Sequence, residues 1–250
     1  MLQPLESGLA SINKTLERAL SREKVTPAHV SQTLSRLSTA TDFTKVSQAR
    51  LVIEAASENP EIKRSIFCEL DDAADPNAIL ASNTSSISLT EIAAGSTRPE
   101  QVIGMHFFNP APVMALVELI RALQTSDETF AATKEIAKRM GKSPVEVKDS
   151  PGFVVNRMLV PMINEAVFVY SEGVASVEDI DAAMKLGSNH PMGPLALADL
   201  IGLDICLSVM EVLFDEFADS KYRPCPLLKK MVAAGYLGRK SGRGFYSYGK

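Results

Sequence analysis

Two polar residues within apolar segments are the first candidates for chemistry. His106 lies near the end of the apolar run 102–108, and Glu118 lies inside the apolar run 116–120. An imidazole titrates near neutral pH, so His106 could accept a proton from an alcohol that is being oxidised. An ionised carboxylate inside a strand is costly unless it is paired, and consecutive strands are often neighbours. We therefore predict a hydrogen bond between Glu118 and His106 that fixes the imidazole tautomer. From its strand alone, His106 is more typical of a core residue satisfied by a backbone carbonyl, and Glu118 is what favours the catalytic interpretation.

A polar loop is the second candidate. The segment 82–86 reads Ser-Asn-Thr-Ser-Ser and follows the apolar run 78–82 directly. In open α/β sheets, ligands bind beyond the carboxyl ends of the strands, so these hydroxyl groups could orient a polar ligand. The same residue types also favour ordinary turns, because they form local hydrogen bonds with the backbone.

Three further polar residues could lie within reach of a ligand. Glu58 and Lys63 follow the apolar run 51–56, although such a pair is also typical of a solvated helix start. Asn156 is expected one turn into the helix that opens a second domain. It could face a cleft between the domains or lie on an exposed helix face.

The elements that must position these residues begin with a helical hairpin. Apolar residues recur at helical spacing from Pro4 to Arg22, and Thr26 with Pro27 predicts a second helix that reaches about Leu37. Five apolar runs then predict strands at 51–56, 78–82, 102–108, 116–120 and 145–147. Helix start and stop signals lie between the runs, at Asn59-Pro60, Ser88 with Glu91, Ser126 and Gly141. Strands that alternate with helices predict a doubly wound, largely parallel α/β sheet.

After residue 150 the pattern is helical. Ser150 as N-cap and Pro151 at the first position predict the start of a long helix. Three helical stretches are predicted in all, from 150 to about 171, from 176 onward, and from about 195 to 217. We therefore predict two domains: a sheet domain at 1–150, which includes the hairpin at 4–38, and an all-helical domain at 151–250.

The composition excludes several classes of protein. Of the 250 residues 46% are hydrophobic, and the net charge of −4 comes with scattered Lys and Arg, so no basic stripe suits a nucleic-acid backbone. No apolar run approaches the ~20 residues that span a bilayer. Three widely spaced cysteines predict neither a metal site nor a disulfide framework. We expect a reducing compartment, the cytoplasm, or the mitochondrial matrix if a transit peptide precedes these residues.

Six motifs occur in order along the chain: Val52-Ile-Glu-Ala-Ala-Ser-Glu-Asn59, Ala81-Ser-Asn-Thr-Ser-Ser86, His106-Phe-Phe-Asn-Pro110 with Glu118, Asp149-Ser-Pro-Gly-Phe-Val-Val-Asn-Arg157, Pro191-Met-Gly-Pro194 and Gly242-Arg-Gly-Phe-Tyr246. Together they resemble the L-3-hydroxyacyl-CoA dehydrogenase family of fatty-acid metabolism and β-oxidation, especially its short-chain 3-hydroxybutyryl-CoA branch. The resemblance covers the chain from about residue 5 to its end.

That resemblance implies a Rossmann-type fold, NAD as cofactor, and a 3-hydroxyacyl-CoA or 3-oxoacyl-CoA as substrate. It makes His106 the general base and Glu118 its orienting partner. It also implies that Ser85 and Asn156 bind the reacting oxygen and the thioester end of the substrate.

Further positions correspond to the family's ligand contacts. Those that resemble positions near the cofactor are Glu58, Lys63, Ser85, Asn109 and, more loosely, Lys240. The hairpin resembles the arm that helps to hold coenzyme A, with Ser7 and Lys14 as candidate contacts. The helical domain resembles the family's dimerisation module, so we expect a homodimer.

One departure concerns the start of the Rossmann-type domain. The family begins with a strand, a GxGxxG turn and a helix, and these 250 residues contain no GxGxxG. About 30 residues, the size of one β-α-β unit, are expected to be missing. We therefore expect an N-terminally truncated α/β domain and weak NAD binding by the chain as written. An inactive truncated paralogue that still dimerises, or a sugar-acid dehydrogenase on the same scaffold, would also fit.

Overall fold

A helical hairpin precedes the sheet in the computed structural model, which describes residues 2–249. Helices α1 (Leu2–Ser21) and α2 (Pro27–Ser35) pack against each other, and most of their side chains are exposed. The predicted cap of α2 is confirmed, because Thr26 Oγ1 accepts a hydrogen bond from the backbone N–H of His29 at 3.2 Å.

Five strands form one sheet in chain order: β1 (Leu51–Glu54), β2 (Ile79–Ser82), β3 (Val102–Phe107), β4 (Leu116–Arg121) and β5 (Ser143–Lys148). Strands β1, β2 and β3 are parallel, as are β4 and β5, whereas β3 and β4 are antiparallel. The predicted Rossmann-like sheet and helical second domain are confirmed. The antiparallel pairing places His106 directly opposite Glu118.

Helices cover both faces of the sheet. Side chains of a strand alternate between its two faces, so apolar residues lie on both and need to be covered. The helices of this domain are α3 (Pro60–Ala73), α4 (Leu89–Ala94) and α5 (Asp127–Arg139). Phe67 of α3 and Leu89 of α4 share a core with Leu80, while Phe130 of α5 packs with Ile103 on the opposite face. The side chains of Asn59, Ser88 and Ser126 cap these helices as predicted.

The flank of the sheet at β1 is its least covered part. Helix α5 packs against β3, β4 and β5, whereas Leu51 and Ile53 of β1 are only half-buried. A cavity of about 620 Å³ lies beside this flank, lined by residues that include Ile79 and Ile136. Within the described residues, β1 pairs with β2 alone and forms one edge of the sheet.

Helices α6 (Val155–Ser171), α7 (Val177–Gly187), α8 (Pro194–Ile201), α9 (Leu203–Phe217) and α10 (Pro226–Ala233) form the second half of the chain. They enclose a core of their own, which includes Ile163 of α6 and Leu203 of α9. The capping pair of α7 is confirmed, since Ser176 Oγ accepts a hydrogen bond from the N–H of Asp179 at 3.1 Å. Among residues 2–249, no helix is both long and apolar enough to cross a bilayer.

The predicted start of α6 at Ser150 and Pro151 is wrong. The helix begins at Val155, because Gly152 and Phe153 have φ angles of 71° and 51°, which a right-handed helix does not allow. The turn buries Phe153 in the core of the sheet domain. Asn156 is consequently the second residue of α6, and not one turn inside the helix.

The single helical stretch predicted from 195 to 217 is also wrong. It consists of α8 and α9, which meet at Gly202. The φ of Gly202 is 110°, a conformation that interrupts a helix and strongly favours glycine. Apolar periodicity alone does not reveal such a break, because both helices bury apolar faces.

Candidate active site

The centre of the candidate site is a histidine–carboxylate pair on neighbouring strands. His106 Nδ1 lies 2.8 Å from Glu118 Oε2, and the two residues are 4% and 1% exposed. The predicted contact is therefore confirmed. Since an ionised carboxylate can only accept, the neutral imidazole that pairs with it carries its proton on Nδ1 and keeps a lone pair on Nε2. The pair can thus present a proton acceptor whose orientation is fixed by the sheet.

The other oxygen of Glu118 binds the start of the helical domain. Glu118 Oε1 accepts hydrogen bonds from the backbone N–H groups of Val154 and Val155, both at 3.1 Å. These amides belong to the beginning of α6, where N–H groups have no partner within the helix. A single buried carboxylate therefore joins the histidine to the second domain.

Aromatic rings flank the imidazole. The ring centroid of His106 lies 4.6 Å from that of Phe108 and 5.6 Å from that of Phe153. These apolar neighbours keep bulk water from most of the ring. The large cavity beside β1 is lined by other residues, so cavity size alone does not indicate this site.

The polar loop 82–86 lies beside the end of β3. Asn83 Oδ1 accepts a hydrogen bond from the N–H of Phe107 at 2.9 Å, which ties the loop to the strand that carries His106. The backbone N–H groups of Ser85 and Ser86 donate to Glu58 Oε1, at 2.7 and 2.9 Å. The structure therefore brings the loop, Glu58 and the histidine strand together.

The charge of Glu58 is stabilised locally. Burial opposes its ionisation, but hydrogen bonds from Thr84 and Ser85 and the nearby Lys63 ammonium outweigh that effect and hold the pKa of Glu58 below its ordinary value. Glu58 is thus a carboxylate at neutral pH. It is also partly exposed, with 38% of its side chain accessible.

Lys63 is buried, unlike Glu58. Its ammonium lies 2.9 Å from both carboxylate oxygens of Glu54 and 3.5 Å from Glu58 Oε2, and the residue is 1% exposed. Sequence reasoning singled out Lys63 and Glu58 but missed Glu54. The missed signal was an ionisable residue in an apolar strand, the same signal that identified Glu118.

The remaining candidates are more dispersed. Asn109 is exposed just after β3, and Asn156 is half-buried next to the Val155 amide that Glu118 binds. Lys240 lies in the helical domain, where its Nζ donates to Asp204 Oδ2 at 2.7 Å.

Ser7 and Lys14 are the candidates on the hairpin. Both are exposed on α1, seven residues apart and so on one face of the helix. Their position leaves them open to a ligand that lies along the hairpin.

Comparison with known proteins identifies the family. Residues 3–150 match the NAD-binding domain of 3-hydroxyacyl-CoA dehydrogenases, and residues 152–248 match their C-terminal domain. The chain belongs to the 3-hydroxyacyl-CoA dehydrogenase family. Members of this family are NAD-dependent oxidoreductases, and this protein is one of them.

Individual relatives in this family match most of the chain. The 3-hydroxybutyryl-CoA dehydrogenase of Bradyrhizobium diazoefficiens is 56% identical over 244 residues, which cover 98% of this chain and 83% of the relative. The human mitochondrial hydroxyacyl-coenzyme A dehydrogenase is 46% identical over 221 residues, 88% of this chain and 70% of the relative. The crystal structure of (S)-3-hydroxybutyryl-CoA dehydrogenase from Ralstonia eutropha is 57% identical and has a TM-score of 0.95, covering 98% of this chain and 87% of that one.

Polar residues beside His106 fit the nicotinamide and ribose end of the dinucleotide. Hydroxyl groups of the loop 82–86 and the carboxylate of Glu58 lie at the carboxyl ends of parallel strands, where a nucleotide binds in such sheets. They offer the donors and acceptors that a ribose and a carboxamide need. The sequence GxGxxG does not occur among the 250 residues.

Proposed function

We propose that the protein oxidises short-chain L-3-hydroxyacyl-CoA to 3-oxoacyl-CoA, and catalyses the reverse reduction. The observation that carries this proposal is the 2.8 Å contact between His106 Nδ1 and Glu118 Oε2, which leaves Nε2 as a proton acceptor. Nε2 takes the proton of the 3-hydroxyl group, and Glu118 stabilises the resulting imidazolium. When bound, NAD provides the group that accepts the hydride leaving C3.

The polar residues around His106 are expected to orient the substrate. Ser85 follows the end of β2 and is held through its backbone by Glu58, and Asn156 lies next to the amide that Glu118 binds. We propose that Ser85 binds the reacting oxygen and that Asn156 binds near the thioester. The short acyl chain is inferred from the relatives in Bradyrhizobium and Ralstonia, which act on 3-hydroxybutyryl-CoA.

We further propose that tight NAD binding needs a GxGxxG turn that the 250 residues do not contain. Backbone N–H groups of such a turn and the following helix N-terminus bind the pyrophosphate. Two observations support this proposal: the half-covered flank at β1, and relatives of which this chain covers 83–88%. The 250-residue chain should therefore bind NADH weakly.

The helical domain is the proposed dimer interface. Apolar side chains of α6 and α9 are exposed there, among them Met158 at 72% and Ile205 at 48%. Exposed apolar faces of this kind usually meet another surface. We expect a dimer mass by light scattering at micromolar concentration, and a monomer mass would contradict the proposal. We also propose a location in the cytoplasm, or in the mitochondrial matrix if a transit peptide precedes these residues.

One experiment separates these proposals. The 250-residue chain is compared with an extended protein, in which a β-α-β unit that carries a GxGxxG turn precedes the chain. Acetoacetyl-CoA reduction is measured with NADH, and gulonate oxidation with NAD serves as the sugar-acid control.

We expect ordinary turnover of acetoacetyl-CoA by the extended protein and little by the chain alone. If the chain alone binds NADH at micromolar concentration and turns over normally, the pyrophosphate proposal is wrong and the dehydrogenase proposal stands. If neither protein reduces acetoacetyl-CoA, or gulonate is the better substrate, the proposed reaction is wrong.

A further inference from the structure

A buried ion pair lies at the carboxyl end of β1. Glu54 is the last residue of that strand and Lys63 is the fourth residue of α3, and they are 5% and 1% exposed. Burying two charges costs several kcal/mol per ion before their attraction is counted, and apolar residues of similar size often serve stability as well or better. Stability is therefore a weak explanation for this pair.

The Lys63 ammonium forms ion pairs with two carboxylates. Glu54 binds it with both oxygens at 2.9 Å, and Glu58 Oε2 lies 3.5 Å away. Two carboxylates this close would repel each other without the cation between them. Lys63 thus offsets the repulsion between the carboxylates of Glu54 and Glu58.

The two carboxylates hold opposite ends of the loop 82–86. Glu54 Oε2 accepts a hydrogen bond from Ser82 Oγ at 2.6 Å, and the backbone oxygen of Glu54 accepts from the N–H of Asn83 at 2.8 Å. Glu58 Oε1 accepts from the N–H groups of Ser85 and Ser86. The loop is therefore fixed at its start by one carboxylate and at its end by the other.

We propose that Glu54 and Lys63 are positioning residues for the dehydrogenase reaction, which hold Glu58 and the loop so that Ser85 is presented beside the strand of His106. This inference rests on the proposed function, in which Ser85 binds the reacting oxygen. Lys63 acts on the loop through Glu58, whose Oε2 lies 3.5 Å from its ammonium.

A matched control lies elsewhere in the same domain. The Asp71 carboxylate pairs with Arg98 at 3.3 Å and accepts hydrogen bonds from Ser96 Oγ and the N–H of Thr97, at 2.8 and 2.7 Å. It is also a buried carboxylate that pairs with a cation and fixes a loop. That loop precedes β3 and lies at the opposite end of the strand from His106.

The test compares Glu54→Gln, Lys63→Met and the double variant with Asp71→Asn. Amide hydrogen exchange on the 250-residue chain reports the loop, and steady-state reduction of acetoacetyl-CoA by the extended protein reports the reaction. Exchange at residues 82–87 should be about tenfold faster in Glu54→Gln, because losing one such hydrogen-bonded anchor is worth roughly 1.4 kcal/mol. Exchange in β4 and α5 should be unchanged.

In the same variant kcat should fall by about tenfold or more while KM changes less, since misplaced contacts act mainly on the transition state. Lys63→Met should change both measurements in the same direction, because the carboxylates of Glu54 and Glu58 then repel each other. The double variant should resemble Glu54→Gln in both measurements, because removing both charges does not restore the anchor. Asp71→Asn should loosen residues 95–98 and leave kcat within about twofold.

Three results would overturn the proposal. The first is unchanged exchange at residues 82–87 in Glu54→Gln. The second is faster exchange throughout the domain, which would reveal a general stabilising role. The third is a looser loop with unchanged kcat in an active extended protein. An inactive extended parent would refute the proposed reaction, and the exchange pattern would still decide whether the ion pair holds the loop.

Discussion

Buried carboxylates occur in both halves of the molecule, but they have different partners. In the sheet domain, Glu54 and Glu118 each bind a side chain that can carry a positive charge. In the helical domain, Asp181 and Asp199 accept hydrogen bonds from backbone N–H groups and tyrosine hydroxyls. All four carboxylates are almost fully buried.

Asp181 and Asp199 of the helical domain hold residues 245–248 in place through hydrogen bonds. Asp199 accepts from the N–H groups of Phe245 and Tyr246, both at 2.9 Å, and from the Tyr248 hydroxyl at 3.0 Å. Asp181 accepts from the Tyr246 hydroxyl at 2.9 Å. These donors do not change charge at neutral pH, so the arrangement is stable but chemically inert. The comparison teaches that burial alone does not mark a carboxylate for chemistry: Glu118 is distinguished by its histidine partner.

Replacing the histidine tests this distinction most strongly. In the extended protein, His106→Gln should lower kcat by ~100-fold or more, because the general base is lost, while substrate binding changes less. Urea unfolding should be nearly unchanged. His190→Gln, in the loop before α8, is the matched control and should retain parental turnover.

Glu118→Gln should have the next largest effect. The neutral amide no longer stabilises an imidazolium, so kcat should fall at least ~10-fold in steady-state assays. Stability should also fall, because the two amides at the start of α6 lose a charged acceptor. Turnover that matches the parent would contradict the role of Glu118 as partner of the base.

Asp199→Asn should affect stability but not chemistry. The new NH2 group replaces one acceptor oxygen and faces a backbone N–H that then lacks an acceptor, so the free energy of unfolding should fall by about 2–3 kcal/mol. Urea denaturation measures this change. At a temperature where the variant is folded, kcat should stay within about twofold of the parent. A tenfold loss of kcat would erase the distinction between the two halves.

Tyr246→Phe should have the smallest effect, about 1 kcal/mol of unfolding free energy, because one hydrogen bond is removed. Burial and the bond to Asp181 raise the pKa of Tyr246 above its ordinary value. A raised pKa favours the neutral phenol in the folded state, so this contribution should be constant below pH ~10 and decline at higher pH. Unfolding curves of both proteins at pH 7 and pH 10.5 check the sign.

The sequence allowed some of these features to be predicted and concealed others. Glu118 interrupts an apolar run, so its burial and its need for a partner could be predicted. Glu54 also interrupts its apolar run, but it is the last residue of the strand that forms, and its burial depends on Lys63 and Ser82 from other segments. Local patterns predict elements, whereas contacts between distant segments decide which polar residues are enclosed.

The wrong helix boundaries have the same origin. Ser150 and Pro151 carry a local helix-start signature, but burial of Phe153 in the sheet core imposes a turn that delays the helix. Gly202 was visible in the sequence, yet the apolar pattern on both sides continues through it. In each case tertiary packing outweighed local propensity.

The two carboxylate oxygens of Glu118 bind different domains, and this has an energetic consequence. One oxygen orients His106 and the other binds the first residues of α6, so the orientation of the base and the seating of the helical domain are thermodynamically linked. Linkage is reciprocal: whatever favours the seated domain favours the oriented base by the same free energy, and the converse holds. A hinge movement between the domains would therefore gate proton transfer itself, in addition to gating the entry of ligands.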